Sequence, residues 1–392
     1  MNNQRAANIA SVGRKMCVAI ASLFLIALPQ RNAKAQMTLT PGAQAAGWTI
    51  SDFATNFPAD NYNVGPLGVA FNDAGQALVT DSFGDVRVFQ ANADNQIAHG
   101  AMASFGWIQA INITRVGSHI YMLQRGNSRL VELNADGSIN HVVVTGIPNA
   151  AGMAVNPNTG HIYIGSWTGA RITEVDPLKG TRAVILVQLA DGLATDGITL
   201  WAASDEHIKA FRLSDMTQVY DSGYILGADG ISLGAAGLSG SLIINTNCGQ
   251  VFQMDTQTKA LTLIGTGGSR GDFTAVAPNG TVLLTQSHKI VRLSPPTGSS
   301  FIGLGISLSP SSVKGGANAI GTVTVSTAAP RNLVIQLTTN NPAVTVPTSV
   351  TIVAGSNTAS FTIKTKSVSQ NTAGFINATL NGMSSAQITV LK

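Results

Sequence analysis

Charge is what this chain of 392 residues has least of. Asp, Glu, Lys and Arg together make up 11% of it, where soluble globular chains average roughly 25%. Cysteine occurs twice, at Cys17 and Cys248, which excludes a disulfide-dense scaffold and any four-cysteine metal cluster. Beyond residue 35 no apolar run approaches the roughly 18 residues of a membrane-crossing helix. His-Glu-x-x-His and a Gly-Lys-Ser/Thr phosphate loop are also missing, which argues against zincin and P-loop chemistry. What the chain has instead is glycine, 41 residues of it, and enough length for two or three domains.

The first 35 residues carry Arg5, Arg14, Lys15, Arg31 and Lys34 and no acid, with an apolar run from Met16 to Pro29 and the small-x-small step Ala33-Lys34-Ala35. Basic start, short apolar core and small-residue cleavage point predict a secretory signal peptide over 1–35, removed near Ala35; an uncleaved anchor is the alternative. Cleavage changes the charge reading. Five of the 23 basic residues leave with the leader, against 19 acids that all stay. The formal +4 of the whole chain therefore resides in the leader, and the basic footprint that nucleic-acid binding requires is absent.

From residue 68 one phrase recurs: a small residue with alternating apolars, a turn, a second apolar strand, a polar loop and a third strand. It runs from Gly68 to Phe89, and starts again at Ala110, Gly152, Gly192, Gly230 and Phe273. Short strands with hairpin turns at a period near 40 predict four-stranded propeller blades, six of them over 36–302. The sixth phrase meets Pro295-Pro296 before an outer strand can form. Trp48 to Ala54 alternates suitably, and the prediction is that it supplies that strand and closes the ring, leaving no open sheet edge. From Gly303 the composition shifts to Thr, Ser, Val and Ala without Trp or Tyr. Seven short alternating runs over 303–392 predict a β-sandwich. The fold class expected is thus all-β.

The blade phrases resemble those of NHL-type six-bladed propellers, on Gly68 to Phe89, Gly152-Met-Ala-Val, Ile162-Tyr-Ile-Gly and Arg171-Ile. The C-terminal stretch resembles bacterial immunoglobulin-like domains, on Gly321-Thr-Val-Thr-Val, Asn340-Asn-Pro and Ala354 to Phe361.

Strand antiparallelism places the loops entering inner strands and the loops joining second to third strands on one face. The residues just before the inner strands read Leu67, Gln109, Ala151, Asp191, Asp229 and Asp272. Converging carboxylates repel unless a cation or proton intervenes, which makes Asp191, Asp229 and Asp272 candidate metal ligands and a divalent cation such as calcium the candidate ion. An Asp-Gly pair that merely makes a tight turn is the competing reading. Asp191-Gly192 and Asp229-Gly230 also resemble the acidic turns of the gluconolactonase/senescence-marker family, whose resemblance implies one divalent metal and sugar-lactone hydrolysis. That family's glutamate near the first blade has no counterpart here, where Leu67 stands. Gln109, Arg125, Trp167, Asn247 and His288 are candidate ligand-binding residues on the same face, since mixed polar and aromatic loops around a concave mouth form a common ligand-site pattern.

Two functions are therefore expected from the sequence. One is a secreted, extracellular or periplasmic protein that binds a small molecule, glycan or surface component on one propeller face, with the sandwich as spacer or adhesive module. The alternative is a metal-dependent lactonase-like hydrolase. Charge supports a division of labour: residues 303–392 hold five basic residues and no acid, whereas all 19 acids lie in 36–302.

Overall fold

The computed structural model describes residues 36–392 except 108, 236–237, 278, 297–303, 326–327, 330–331 and 381–382. The expected leader and the expected boundary at 302/303 lie outside the described residues. Among the described residues no helix is long and apolar enough to cross a membrane.

Each repeat phrase becomes one antiparallel meander. The six innermost strands are Pro66–Phe71, Asn112–Val116, Ala150–Val155, Leu193–Thr195, Ala228–Leu233 and Thr274–Val276, followed outward by three more strands in the first four sheets and by four in the fifth and sixth. The hairpin turns are built by side chains that fold back on the backbone. In the first, Asn72 Oδ1 accepts the Ala74 and Gln76 amides at 3.1 and 2.9 Å, and Asn156 Oδ1 accepts the Asn158 amide at 2.9 Å in the third. This is the local chemistry that makes Asn a turn residue.

The inner strands touch one another in sequence order, and the sixth touches the first. A separate apolar cluster fills each gap between neighbouring sheets. Ala70, Val86, Ile113 and Met122 join the first to the second, and Phe53, Val79, Phe89 and Leu283 join the sixth back to the first. Alternation along each strand feeds the two flanking clusters in turn, which is why strands buried on both faces read as nearly continuous apolar runs.

Closure uses the N-terminal segment, as the sequence predicts. Thr49–Thr55 pairs antiparallel with Lys289–Ser294 and becomes the fourth strand of the sixth sheet. Thr38–Leu39 adds to the edge of the fifth sheet at Leu261–Thr266. Between them the short helix Pro41–Ala45 is capped by Thr40, whose Oγ1 accepts the Ala43 amide at 3.2 Å.

The C-terminal residues form two further sheets that share no strand with the six. One is ordered Leu304–Ser309, Asn318–Val325, Thr358–Thr365, Val344–Thr345; the other contains Leu333–Thr339, Thr372–Thr379 and Met383–Leu391. Val323 and Ile363 from one and Ile335, Ile376 and Ile388 from the other enclose a common core.

Candidate functional site

The register of the inner strands defines the mouth. Val69, Ile113, Met153, Leu193, Ile231 and Thr274 occupy equivalent positions, opposite Val79, Met122, Ile164, Ala202, Ile244 and Leu284. Two residues upstream the ring therefore reads Leu67, Ile111, Ala151, Asp191, Asp229, Asp272. The expectation of Gln109 in the second place is corrected to Ile111. The backbone confirms it: Ile111 N–H donates to Leu123 O as Asp191 N–H donates to Ala203 O, both at 2.9 Å. The ring is thus split, apolar on three consecutive sheets and acidic on the next three. Leu67 and Ile111 pack with Phe273 and Val64 into a small cluster of their own. Phe273 also borders a cavity of about 350 Å³ that is lined by all six inner strands and holds none of the three Asp residues.

The acidic half is interleaved with two guanidiniums. Arg270 Nε lies 2.9 and 3.2 Å from the two Asp272 oxygens, and its Nη2 lies 2.5 Å from Oδ1. The segment before it is seated by backbone and side-chain bonds: Ser269 N–H donates to Gln286 Oε1 at 2.6 Å, and Gly268 N–H to Gly249 O at 3.0 Å. Gly271 must be glycine, because a Cβ there would stand 2.3 to 2.6 Å from the Asn245 amide group. Gly267 to Gly271 spells Gly-x-Ser-x-Gly, but it leads into a strand instead of a helix, so it is no nucleophile elbow. Arg125 donates from Nε to Ala150 O at 2.7 Å, and its guanidinium carbon lies 5.3 Å from the Trp167 ring centroid.

Electrostatics tie these groups together. Burial and the Asp191 and Asp272 charges push the Asp229 carboxyl well above the usual carboxylate range, against the opposing pull of Arg270 and a hydrogen bond from Asn247. Burial also raises Asp191, to about 6, with Arg125 opposing and Asp272 reinforcing the rise. Burial acts to lower Arg270, but the Asp272, Asp229 and Asp191 charges outweigh it and raise it. Three carboxyls face two guanidiniums, so protonation of Asp229 alone leaves the group electrically neutral.

The divalent cation does not fit this arrangement. Among the described residues no set of three or more His, Cys, Asp or Glu side chains is placed to hold a metal ion. Both Asp272 oxygens are engaged by Arg270, and a hard cation would meet two guanidiniums at close quarters.

Around the ring several buried acceptors lack a partner. Asp229 Oδ1, Asn245 Oδ1, Asn247 Oδ1 and Gln109 Oε1 are buried and have no hydrogen-bond partner within the protein. Asn245 uses only its Nδ2, which donates to Phe273 O and Thr285 O at 3.1 and 3.0 Å. Of the sequence candidates, Arg125 lies in the field of all three Asp carboxylates, Asn247 bonds Asp229, and Trp167 flanks Arg125. His288 has its ring nitrogen 3.2 Å from Phe57 O, in the loop that leads to the first inner strand. Arg270 and Asn245 were not among the sequence candidates. The signal for Arg270 was its place two residues before a ring carboxylate.

No protein-family model matches the chain, and no curated protein matches its sequence. Among solved structures it is similar to a gluconolactonase from Xanthomonas campestris, with a TM-score of 0.51 at 14% identity over 66% of this chain and 95% of that one. The chain folds as a β-propeller. The WD40 domain of Neurospora crassa Pan2 is similar at a TM-score of 0.45 and 12% identity, over 65% of this chain and 98% of that one. A streptogramin B lyase is similar at 0.42 and 12%, over 63% and 98%. At 14% identity the likeness to the gluconolactonase structure speaks for the propeller fold and not for a shared activity.

Proposed function

We propose that the protein is a ligand-binding protein whose propeller mouth takes a small, uncharged, polar molecule. The scaffold is read as a six-bladed propeller, residues 36–302, and the C-terminal sheets, 303–392, as an immunoglobulin-like spacer. The observation that carries this reading is Asp229: a carboxyl of 3% exposure whose Oδ1 has no partner, bonded by Asn247, whose own Oδ1 is equally unpartnered. A buried polar atom left unpaired costs about 1–3 kcal/mol, and a ligand that donates hydrogen bonds to these oxygens removes that cost. An uncharged ligand is proposed because two guanidiniums face the three carboxyls and burial favours the neutral form of Asp229.

The test is calorimetric titration of the mature chain with neutral polyols and sugars, and separately with calcium, for wild type and Asp229→Leu. At least one neutral compound is expected to bind, and Asp229→Leu to weaken it tenfold or more while remaining folded. Equal affinity in the variant, or metal-dependent turnover of a lactone, would overturn the reading; the latter would make the protein a hydrolase.

We place the protein outside the cytoplasm, on the basic, apolar and small-residue succession of residues 1–35. The product recovered from the expressing cells is expected to start at Gln36 by intact mass. A full-length product beginning at Met1 would refute export by cleavage.

A further inference from the structure

Aromatic residues make up only 6% of the chain, and their exposed members are not scattered. Among the described residues of the propeller, the exposed aromatic side chains are Tyr62, Phe83, Trp107, Trp167 and Tyr224. Tyr62 precedes the inner strand of the first sheet, and Trp107 that of the second. Phe83 and Trp167 sit in the turns joining second to third strands of the first and third sheets, and Tyr224 ends the outermost strand of the fourth. By strand direction all five belong to the mouth face, and none to the opposite face. They span the first four sheets, starting over the apolar half of the ring and reaching its acidic half.

No two of the five stack on each other; Trp167 is backed by Arg125, and Tyr224 lies 6.5 Å from His207. Their backbones are held. Phe83 N–H donates to Asp81 Oδ1 at 3.0 Å, and Tyr62 N–H to Asp60 Oδ1 at 2.8 Å. Phe105 N–H donates to Gly84 O at 2.9 Å. Gly84, at φ +87°, lies so close to the Gly106 carbonyl that a Cβ would approach it to 1.8 Å. That contact clamps the loop bearing Phe83 to the one bearing Trp107. Rigid, separately mounted rings offer flat faces at low ordering cost, and differ from the contiguous apolar patch that an apolar protein segment would need.

We propose that this face binds a neutral linear oligosaccharide, one terminal sugar in the mouth and the following units laid over the aromatic faces. The inference rests on the mouth reading above and names its ligand class. Three observations converge on it. The unpaired amide oxygens of Gln109, Asn245 and Asn247 are acceptors to which sugar hydroxyls donate, and a protonated Asp229 exchanges hydrogen bonds with a hydroxyl in either direction. With Asp229 in its neutral form the mouth's charges cancel, which suits an uncharged ligand. Sugar rings present C–H faces, whose partial positive charge matches the negative face of an aromatic ring.

The experiment screens the mature chain on an array of neutral linear glycans, then titrates one to six units of the best binder. Affinity is expected to rise at least tenfold between one and four units. Trp107→Ala and Trp167→Ala are each expected to weaken the four-unit ligand roughly threefold to tenfold, with single-sugar affinity unchanged in Trp107→Ala. Trp107→Tyr should restore most of the loss and Trp107→Leu little, which separates stacking from packing. Trp107 also controls for Trp167, whose removal disturbs Arg125. Affinity independent of length, or full four-unit affinity in the double Trp→Ala variant, overturns the chain-binding inference while leaving the mouth reading intact. Absence of any array binder also overturns it, as does capture of an extended peptide by these aromatics in place of a glycan. Loss of single-sugar binding in Asp229→Leu is instead the outcome that belongs to the mouth.

Discussion

Removal of residues 37–55 is expected to abolish the cooperative unfolding transition and to yield aggregating protein. The deleted segment holds the Thr38–Leu39 edge strand of the fifth sheet, the short helix and the strand that pairs with Lys289–Ser294 in the sixth. Its loss uncovers the whole edge of Lys289–Ser294, which then presents unpaired N–H and C=O groups to other chains. Phe53 and Ala54 leave with it, both fully buried between the sixth and first sheets. So does Asp52, which pairs with Lys289 at 2.8 Å. The Phe53→Ala change alone should cost about 3–5 kcal/mol, the usual range for emptying a large aromatic from a core, read as a shift in the denaturant midpoint. Phe53 makes an edge contact with Phe89 at 5.8 Å between centroids and lies 4.9 Å beneath the Arg292 guanidinium. A truncated chain with the thermal transition of the intact one would show that the N-terminal strand does not close the ring. Restoration of the transition by a synthetic 37–55 peptide would show that it does.

Arg270→Met is the second change expected to have a large effect. It leaves both Asp272 oxygens without their guanidinium in a side chain of 9% exposure. Removing one partner of a fully buried ion pair typically costs about 3–5 kcal/mol because an uncompensated charge remains, and with the Arg270 side chain 36% exposed the expected loss falls below that range. The pH dependence carries the signature. Asp191 and Asp229 have folded-state values raised above the ordinary 3.8, Asp191 to about 6. Groups of this kind bind more protons folded than unfolded, so their contribution is fully present below 3.8 and is lost as pH rises through the folded values. The thermal midpoint of the wild type is therefore expected to rise between pH 7 and pH 5. Arg270 pulls both values down, so its removal should steepen that rise and Asp191→Asn should flatten it. Carboxyls held low elsewhere, such as Asp215 by the Thr217 amide and Asp221 by His207, act with the opposite sign and only at more acidic pH. Arg270→Met with wild-type stability at pH 7, or a wild type whose midpoint does not change from pH 7 to pH 5, would contradict this account.

The ring and its closing strand were legible in the sequence because propeller sheets repeat a local pattern, and Trp48 to Ala54 had no other partner in view. The second ring position was misread for a physical reason. Strand alternation has a period of two, so a shift by two residues leaves every side chain on its own face. Gln109-Ala110-Ile111 extends the alternation of Ile113 upstream, and Asn112 stands where four of the other repeats carry glycine. Arg270 was harder to read: its ion-pair partner Asp272 is only two residues away, but the Asp191 and Asp229 charges that also act on it come from strand starts dozens of residues away. His288 was placed on the right face, but its contact with the Phe57 carbonyl joins residues 231 apart in sequence, a distance that no local pattern encodes.

Closing the ring with a strand from each terminus has a consequence for synthesis. Asp52 and Lys289 are 237 residues apart. At about 5–20 residues per second the first half of the sixth sheet waits on the order of tens of seconds for the second. Throughout that interval Phe53 has only the first sheet, through Phe89, to pack on, and the Leu283 and Ile290 side of its cluster is missing. The ring should then form in one late, slow step dominated by this single long-range pairing. A chain with this architecture favours being held unfolded until it is complete, and cutting it in the middle of the sequence would cost it less than cutting it near either end of the ring.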